Sequence, residues 1–277
     1  MSGARMKKVR RLPTLPARSR DAHKGDFGTV MIVAGSPEML GAAVLCARAA
    51  TRGGAGLVRV GLPESLLSLL PLAVPEATTF VRTPKALREQ VAAADAIVIG
   101  PGLGATATNK RLVAGVLRDS NVPVVVDADA CNVLAPLPKN AKGLTSAADL
   151  ILTPHPGEAG RLLGVSSKDV QADRDEAVHE LCRRSGATVV LKGKGTLVGD
   201  GARCYRNATG NPGMASGGSG DVLSGLLGAL LARGMKPFEA ACLGVHLHGK
   251  AGDVARDARG EHGMVASDIV DAIAEVL

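Results

Sequence analysis

The chain has 277 residues and a formal net charge of +7, a length that suits one large α/β domain or two small ones. It has no Trp, one Tyr and three Phe, so the core must be built from Ala, Val, Leu and Ile, and the basic charge lacks the aromatic side chains on which bases stack. Five scattered cysteines with no Cys-x-x-Cys pair argue against a disulfide framework or a zinc site.

Neither a secretory apolar region nor a run long enough to span a bilayer is present, so the expectation is a cytoplasmic protein with no membrane partner. In chain order, Arg5, Lys7, Lys8, Arg10, Arg11, Arg18, Arg20 and Lys24 are opposed only by Asp21. Residues 1–22 therefore read as a solvated basic extension with a mobile start, with the folded domain at 23–277 and no nucleic-acid partner. Thr29 to Val33 is a short continuous apolar run ended by Gly35 and Ser36, the pattern of a buried parallel strand. An alanine-rich helix over about Leu40 to Arg52 and a strand from Leu57 to Val60 complete a βαβ unit.

The alternation continues with strands at Ala96–Ile99, Val122–Val126, Leu150–Leu152 and Thr188–Leu191, and with helices after Gly104 and from about Asp169 to Ser185. Thr196–Val198 and Cys204–Arg206 flank Gly199-Asp200-Gly201 as a hairpin, and helices are expected over about Asp221–Arg233, Phe238–Arg256 and Ser267–Leu277. This is the pattern of a single doubly wound α/β domain with helices on both faces of a largely parallel sheet. Polar and glycine-rich segments recur at the carboxyl ends of the strands, the edge at which open α/β sheets bind ligands.

Four segments carry chemistry. Gly217-Gly218-Ser219-Gly220 opens into a helix whose first turn holds Asp221; free N–H groups and the helix dipole suit an anion, and the carboxylate suits either a cap or a base. Gly102-Leu103-Gly104-Ala105-Thr106-Ala107 fits a dinucleotide fingerprint, with Asp127 or Asp129 as the ribose carboxylate, but it does not follow the first strand and Pro101 alters the turn. A loop that lets a ligand approach the backbone is the stronger reading. Lys192-Gly193-Lys194-Gly195-Thr196 lacks the spacing of a Walker A loop, yet its lysines and Thr196 can hold phosphate or ribose oxygens. His155 stands between two prolines with Glu158 close by, a rigid strand-end loop suited to ligand contact. His246 and His248 are two apart on a helix and do not face each other as a metal pair.

Together, His23-Lys24-Gly25-x-x-Gly28, Ala34-Gly35-Ser36 with Gly41-Ala42-Ala43, Gly100-Pro101-Gly102-Leu103-Gly104, Asp127-Ala128-Asp129, Leu152 to Glu158, Lys192-Gly193-x-Gly195-Thr196 and Gly217 to Asp221 resemble the ADP- or ATP-dependent NAD(P)H-hydrate dehydratase family from His23 onward. The resemblance implies a ribokinase-like fold. It also implies phosphorylation of the hydroxyl of the S epimer of hydrated NADH or NADPH, followed by loss of phosphate, with ADP giving AMP or with ATP as co-substrate. Asp221 would be the catalytic base. Ala43, Gly102, Gly104, His155 and Asp221 would contact the hydrate, and Lys192, Gly193, Lys194, Gly195, Thr196, Gly218, Ser219 and Gly220 the nucleotide. Ser219 stands where the family commonly has Thr. Mg²⁺ would balance the phosphates, with no ligand residues assigned. An NAD(P)H-hydrate epimerase on a separate chain is the expected functional partner, and a homo-oligomer the expected assembly. A ribokinase-like kinase of a small-molecule hydroxyl, such as a vitamin precursor, and a non-catalytic nucleotide- or nucleic-acid-binding protein stand as the alternatives.

Overall fold

The computed structural model describes residues 6–139, 144 and 148–277. Its strands are β1 (Lys7–Val9), β2 (Thr29–Val33), β3 (Leu57–Leu62), β4 (Ala77–Val81), β5 (Ala96–Ile99), β6 (Val124–Val126), β7 (Leu150–Leu152), β8 (Thr188–Leu191), β9 (Leu197–Gly199) and β10 (Arg203–Arg206). The helices are α1 (Leu40–Arg52), α2 (Leu70–Ala73), α3 (Pro84–Ala92), α4 (Ala107–Asp119), α5 (Ala128–Leu134), α6 (Pro156–Leu163), α7 (Ser167–Ala172), α8 (Arg174–Ser185), α9 (Ser219–Ala232), α10 (Pro237–Arg259) and α11 (Ala266–Val276). The strands form one sheet in the order β1-β10-β9-β8-β7-β6-β5-β2-β3-β4. Only β9 runs against the others, through antiparallel pairing with β8 and β10.

Strand alternation builds two cores from one sheet. Val30, Ile32, Val98 and Val125 face a cluster shared with α1, α9, α10 and α11. Met31, Val33, Ile97, Ile99, Val124 and Val126 face the other cluster, with α3, α4, α6 and α8. Both faces of the sheet are covered, which is why the strands read as continuous apolar runs. The chain reverses its direction of winding between β2 and β5, so their carboxyl ends make a crevice. There the Gly35 N–H donates to the Pro101 carbonyl at 2.8 Å, which joins the two loops.

Three differences from the sequence reading have local causes. The expected helix from Asp169 to Ser185 is two helices, because Asp173 caps the second by accepting from the Glu176 N–H at 3.0 Å. Strand β4 and helices α3, α5 and α6 were not expected: β4 is a half-polar edge strand, and α5 and α6 are short. The basic segment is not a solvated extension from Lys7 onward. Lys7–Val9 pairs in parallel with Arg203–Tyr205, and Val9, Leu12 and Leu15 pack against the core. Strand β10 would otherwise expose a row of unpaired backbone groups, and this segment covers it. Arg5 lies outside the described residues.

Helix α9 packs directly on α1, with glycine at Gly225 where the two meet. A Cβ on Gly225 would run into the Cys46 carbonyl, and one on Gly228 into Val98. Gly225→Ala should therefore destabilise the fold by about 1–3 kcal/mol through overpacking, read as a lower urea midpoint at unchanged slope.

Candidate active site

The site is built at the carboxyl edge around a buried ion pair. Asp127, at the end of β6, is 1% exposed. Its Oδ1 accepts from Lys192 Nζ and from Thr153 Oγ, both at 2.7 Å, and its Oδ2 accepts from Ser224 Oγ at 2.8 Å. Burial alone would raise the carboxyl's proton affinity, but the Lys192 charge and the three hydrogen bonds overcome it and hold the group below the usual carboxylate range. Lys192 is likewise opposed by burial, yet Asp127 and Glu158 keep it charged and raise its pKa. Glu158 Oε2 lies 3.8 Å from the ammonium.

This arrangement corrects one expectation. Asp127 is no ribose carboxylate, since both of its oxygens are occupied below the surface. The Lys192 ammonium is tied to Asp127 beside the start of α9, where a Cβ on Gly220 would lie 3.3 Å from Nζ, and its side chain is 18% exposed. Thr153 and Ser224 were missed by sequence reasoning. Thr153 follows the apolar run of β7 as Asp127 follows that of β6, and this shared strand-end position was a readable signal. Ser224 lies inside an apolar helix and gave none.

The rest of the Lys192–Thr196 loop stays open. Gly193 and Gly195 have φ of 122° and 63°, and Thr196 Oγ closes the turn by donating to the Gly193 carbonyl at 2.9 Å. Lys194 is exposed and has no ion-pair partner among the described residues. Opposite it, Gly218 caps α9 with φ 91°, a conformation that favours glycine. Ser219 is buried, and Gly220 and Asp221 are half-buried. The first N–H groups of α9 lie in this same turn, at the positive end of its dipole.

Asp221 has no hydrogen-bond or ion-pair partner among the described residues. Burial pushes its pKa up, Asp127 adds to the rise, Lys192 opposes it, and Asp129 and Glu158 contribute further, giving about 7. A half-buried carboxyl poised near neutrality at an anion-favouring helix start has the properties of a general base.

His155 caps α6: its Nδ1 accepts from the Gly157 N–H at 2.9 Å, while its own backbone N–H donates to Glu158 Oε2 at 2.8 Å. With Nδ1 accepting, a neutral ring carries its proton on Nε2, and the side chain is 50% exposed. Gly104 donates its N–H to Asp129 Oδ2 at 2.7 Å and its carbonyl takes Asn109 Nδ2 at 2.9 Å, so this loop is tied down from within. Gly102, at φ 58°, packs so closely on Met39 and Ala42 that a Cβ would stand 2.8 Å from the Met39 carbonyl. Ala43 is fully buried, with its methyl 3.2 Å from where a Gly35 Cβ would be, which removes it as a side-chain contact for a ligand. The structure thus groups Lys192, Gly220 and Asp221 closely, sets His155 and Glu158 beside them, and leaves Ala43 beneath the crevice.

The sequence pattern of the NAD(P)H-hydrate dehydratase family matches residues 30–275. The chain belongs to that family. It is 44% identical over 260 residues to the ADP-dependent (S)-NAD(P)H-hydrate dehydratase of Neisseria meningitidis serogroup B, covering 92% of this chain and 87% of that protein. It is 42% identical over 277 residues to the bifunctional NAD(P)H-hydrate repair enzyme Nnr of Moorella thermoacetica, covering 95% of this chain and 52% of that enzyme, so it spans about half the length of this relative. The solved ADP/ATP-dependent NAD(P)H-hydrate dehydratase of Bacillus subtilis, co-crystallized with ATP/Mg²⁺, superposes with a TM-score of 0.84 at 34% identity, covering 95% of this chain and 93% of that one. The fold is ribokinase-like.

The ion pair at the centre of the site gives a stability test. Lys192→Met would leave Asp127 buried without its counter-charge and should cost about 3–5 kcal/mol in chemical denaturation at neutral pH.

Proposed function

We propose that this chain dehydrates the S epimer of hydrated NADH or NADPH at the expense of a nucleotide, with ADP giving AMP and phosphate. The observation that carries this reading is Asp221, a partnerless carboxylate with a pKa of about 7 in the first turn of α9, beside the Lys192–Thr196 loop. Asp221 takes the proton of the hydrate's hydroxyl, whose oxygen attacks the terminal phosphoryl group. The P–O bond to the leaving nucleotide breaks. The hydroxyl, a poor leaving group, has become a phosphate ester, and the phosphate departs with that oxygen while the ring loses a proton and regains its double bond. The N–H groups of Gly218, Ser219 and Gly220 stabilise the phosphoryl charge, and Lys194 and Thr196 hold the nucleotide. His155, half exposed and with Nε2 3.4 Å from Glu158 Oε1, is the side chain that contacts the hydrate. Gly102 and Gly104 supply the close backbone wall of the crevice.

The donor set does not make a protein cage for a metal. No group of three or more His, Cys, Asp or Glu suited to a metal occurs among the described residues, and Asp127 is saturated by protein donors. This fits an Mg²⁺ ion carried mainly by the nucleotide's own phosphates and water, where it would screen their charge. The reading carries a reducing cytoplasmic location, supported by five free cysteines that are all buried, and a homo-oligomeric assembly. No helix among the described residues is long and apolar enough to cross a membrane. An epimerase would convert the R epimer into this substrate.

The deciding experiment incubates the protein with hydrated NADH and with hydrated NADPH, each with ADP and with ATP, and follows recovery of the reduced-nicotinamide absorbance. Recovery with either nucleotide supports the dehydratase. Phosphate transfer to a vitamin-precursor alcohol without recovery would favour the kinase reading instead.

Asp221 also sets the pH dependence. Only its ionised form accepts a proton, so kcat should fall about tenfold per unit as pH drops below about 7 and level off above it. Because burial raises its pKa above the unfolded value, the carboxylate costs stability once ionised, and stability falls as pH rises toward 7. Asp221→Asn should therefore abolish turnover, leave nucleotide binding largely intact, and raise Tm at pH 8 by about 2–5 °C. A near-native rate would remove Asp221 from the chemistry.

A further inference from the structure

A concave, cationic place lies at the opposite pole of the molecule. Helices α1 and α9 both start at the carboxyl edge and end at the amino edge, at Arg52 and Arg233. Between those ends and the segment before β2 is a cavity of about 790 Å³. Arg18, Arg48, Arg52 and Arg233 line it, with Glu76 as the one carboxylate side chain in its wall. Arg48 is committed to Asp271 at 2.7 Å.

Arg18 and Arg233 are differently placed. They converge over Gly54, where a Cβ would stand 2.9 Å from Arg18 Nη2 and 3.3 Å from Arg233 Nη1. Among the described residues neither has a carboxylate partner, and neither Glu76 nor the Leu277 carboxylate forms an ion pair with them. The Arg18 guanidinium lies over the Phe27 ring, 4.0 Å from its centroid, and donates to the Gly54 carbonyl at 2.9 Å. Arg233 donates from Nη2 to the Pro16 carbonyl at 2.6 Å, while its Nε is buried without a partner. Burial and the neighbouring Arg18 both push the Arg233 pKa down, the mark of a cation short of a counter-charge.

The carbonyl ends of α1 and α9 explain cations near this pole. They do not explain two guanidiniums brought side by side with donors left over. Adjacent like charges, one on an exposed and one on a half-buried side chain, oppose each other, and a bound dianion would relieve that opposition. The planar forks of two arginines suit the tetrahedral oxygens of phosphate.

We infer that this amino-edge cavity binds a phosphate-bearing small molecule, gripped between Arg18 and Arg233 and separate from the crevice that holds Asp221. The inference does not depend on the dehydratase reading. It gives a use to the basic segment that the catalytic site leaves unexplained.

Calorimetric titration of the full chain with inorganic pyrophosphate tests it. The expected result is saturable binding whose Kd rises about tenfold or more in Arg18→Gln and in Arg233→Gln, recovers in part in Arg233→Lys, and is kept in Lys194→Ala. Far-UV circular dichroism and a melting curve establish that each variant is folded; should Arg233→Gln fail to fold, Arg18→Gln gives the answer alone. Binding unchanged in Arg18→Gln, or lost only in Lys194→Ala, would overturn the proposal, because pyrophosphate would then occupy the nucleotide loop. An absence of binding to the wild-type chain would overturn it as well.

Discussion

The Asp127–Lys192 ion pair is the constraint on which the site depends. Two charges leave water together, and the geometry compensates: one carboxylate oxygen takes the ammonium and a hydroxyl, the other takes a second hydroxyl. Those donors come from β7, from the loop after β8 and from α9, so a single buried carboxylate gathers three separate elements at the carboxyl edge. A buried pair of this kind adds little net stability over a well-packed apolar substitute. What it does here is fix position, because none of the four groups can move without leaving another unsatisfied.

The same pair prepares Asp221. Asp127 is held ionised by its partners, so its charge stays in place beside a second, half-buried carboxyl. Two nearby carboxylates in a partly dry site do not both ionise easily, and the one without donors takes the higher proton affinity. The contrast assigns the roles by environment: Asp127 organises, and Asp221 is free to exchange a proton. Lys192 opposes the rise, and the balance leaves Asp221 at about 7.

Close packing of α9 on α1 delivers that turn to the right place. Gly225 and Gly228 let α9 settle against α1 and β5, and at its start the left-handed Gly218 turns the chain so that the helix opens toward Lys192. At the far end the same two helices meet the strap formed by residues before β2, which covers the open edge of β10 and lines the arginine cavity. One pair of helices therefore links the crevice at the carboxyl edge of the sheet with the arginine cavity at its amino edge.

Much of this was legible in the sequence. The apolar runs at Thr29–Val33, Ala96–Ile99, Leu150–Leu152 and Thr188–Leu191 declared a parallel sheet because strands covered on both faces need no polar alternation. Glycine-rich segments marked the loops, and Gly217–Asp221 declared a helix start. These features are local, carried by residues within a few positions of one another. Tertiary structure alone decided which charge would be buried and which left open. Lys192 meets Asp127 across 65 residues and Ser224 meets it across 97, distances that no local pattern encodes. The same holds for the basic segment: its charges suggested a solvated tail, while its pairing with β10 depended on an edge nearly 200 residues away. Sequence spacing set the elements; the low-dielectric contacts made when the sheet closed set the protonation of Asp221.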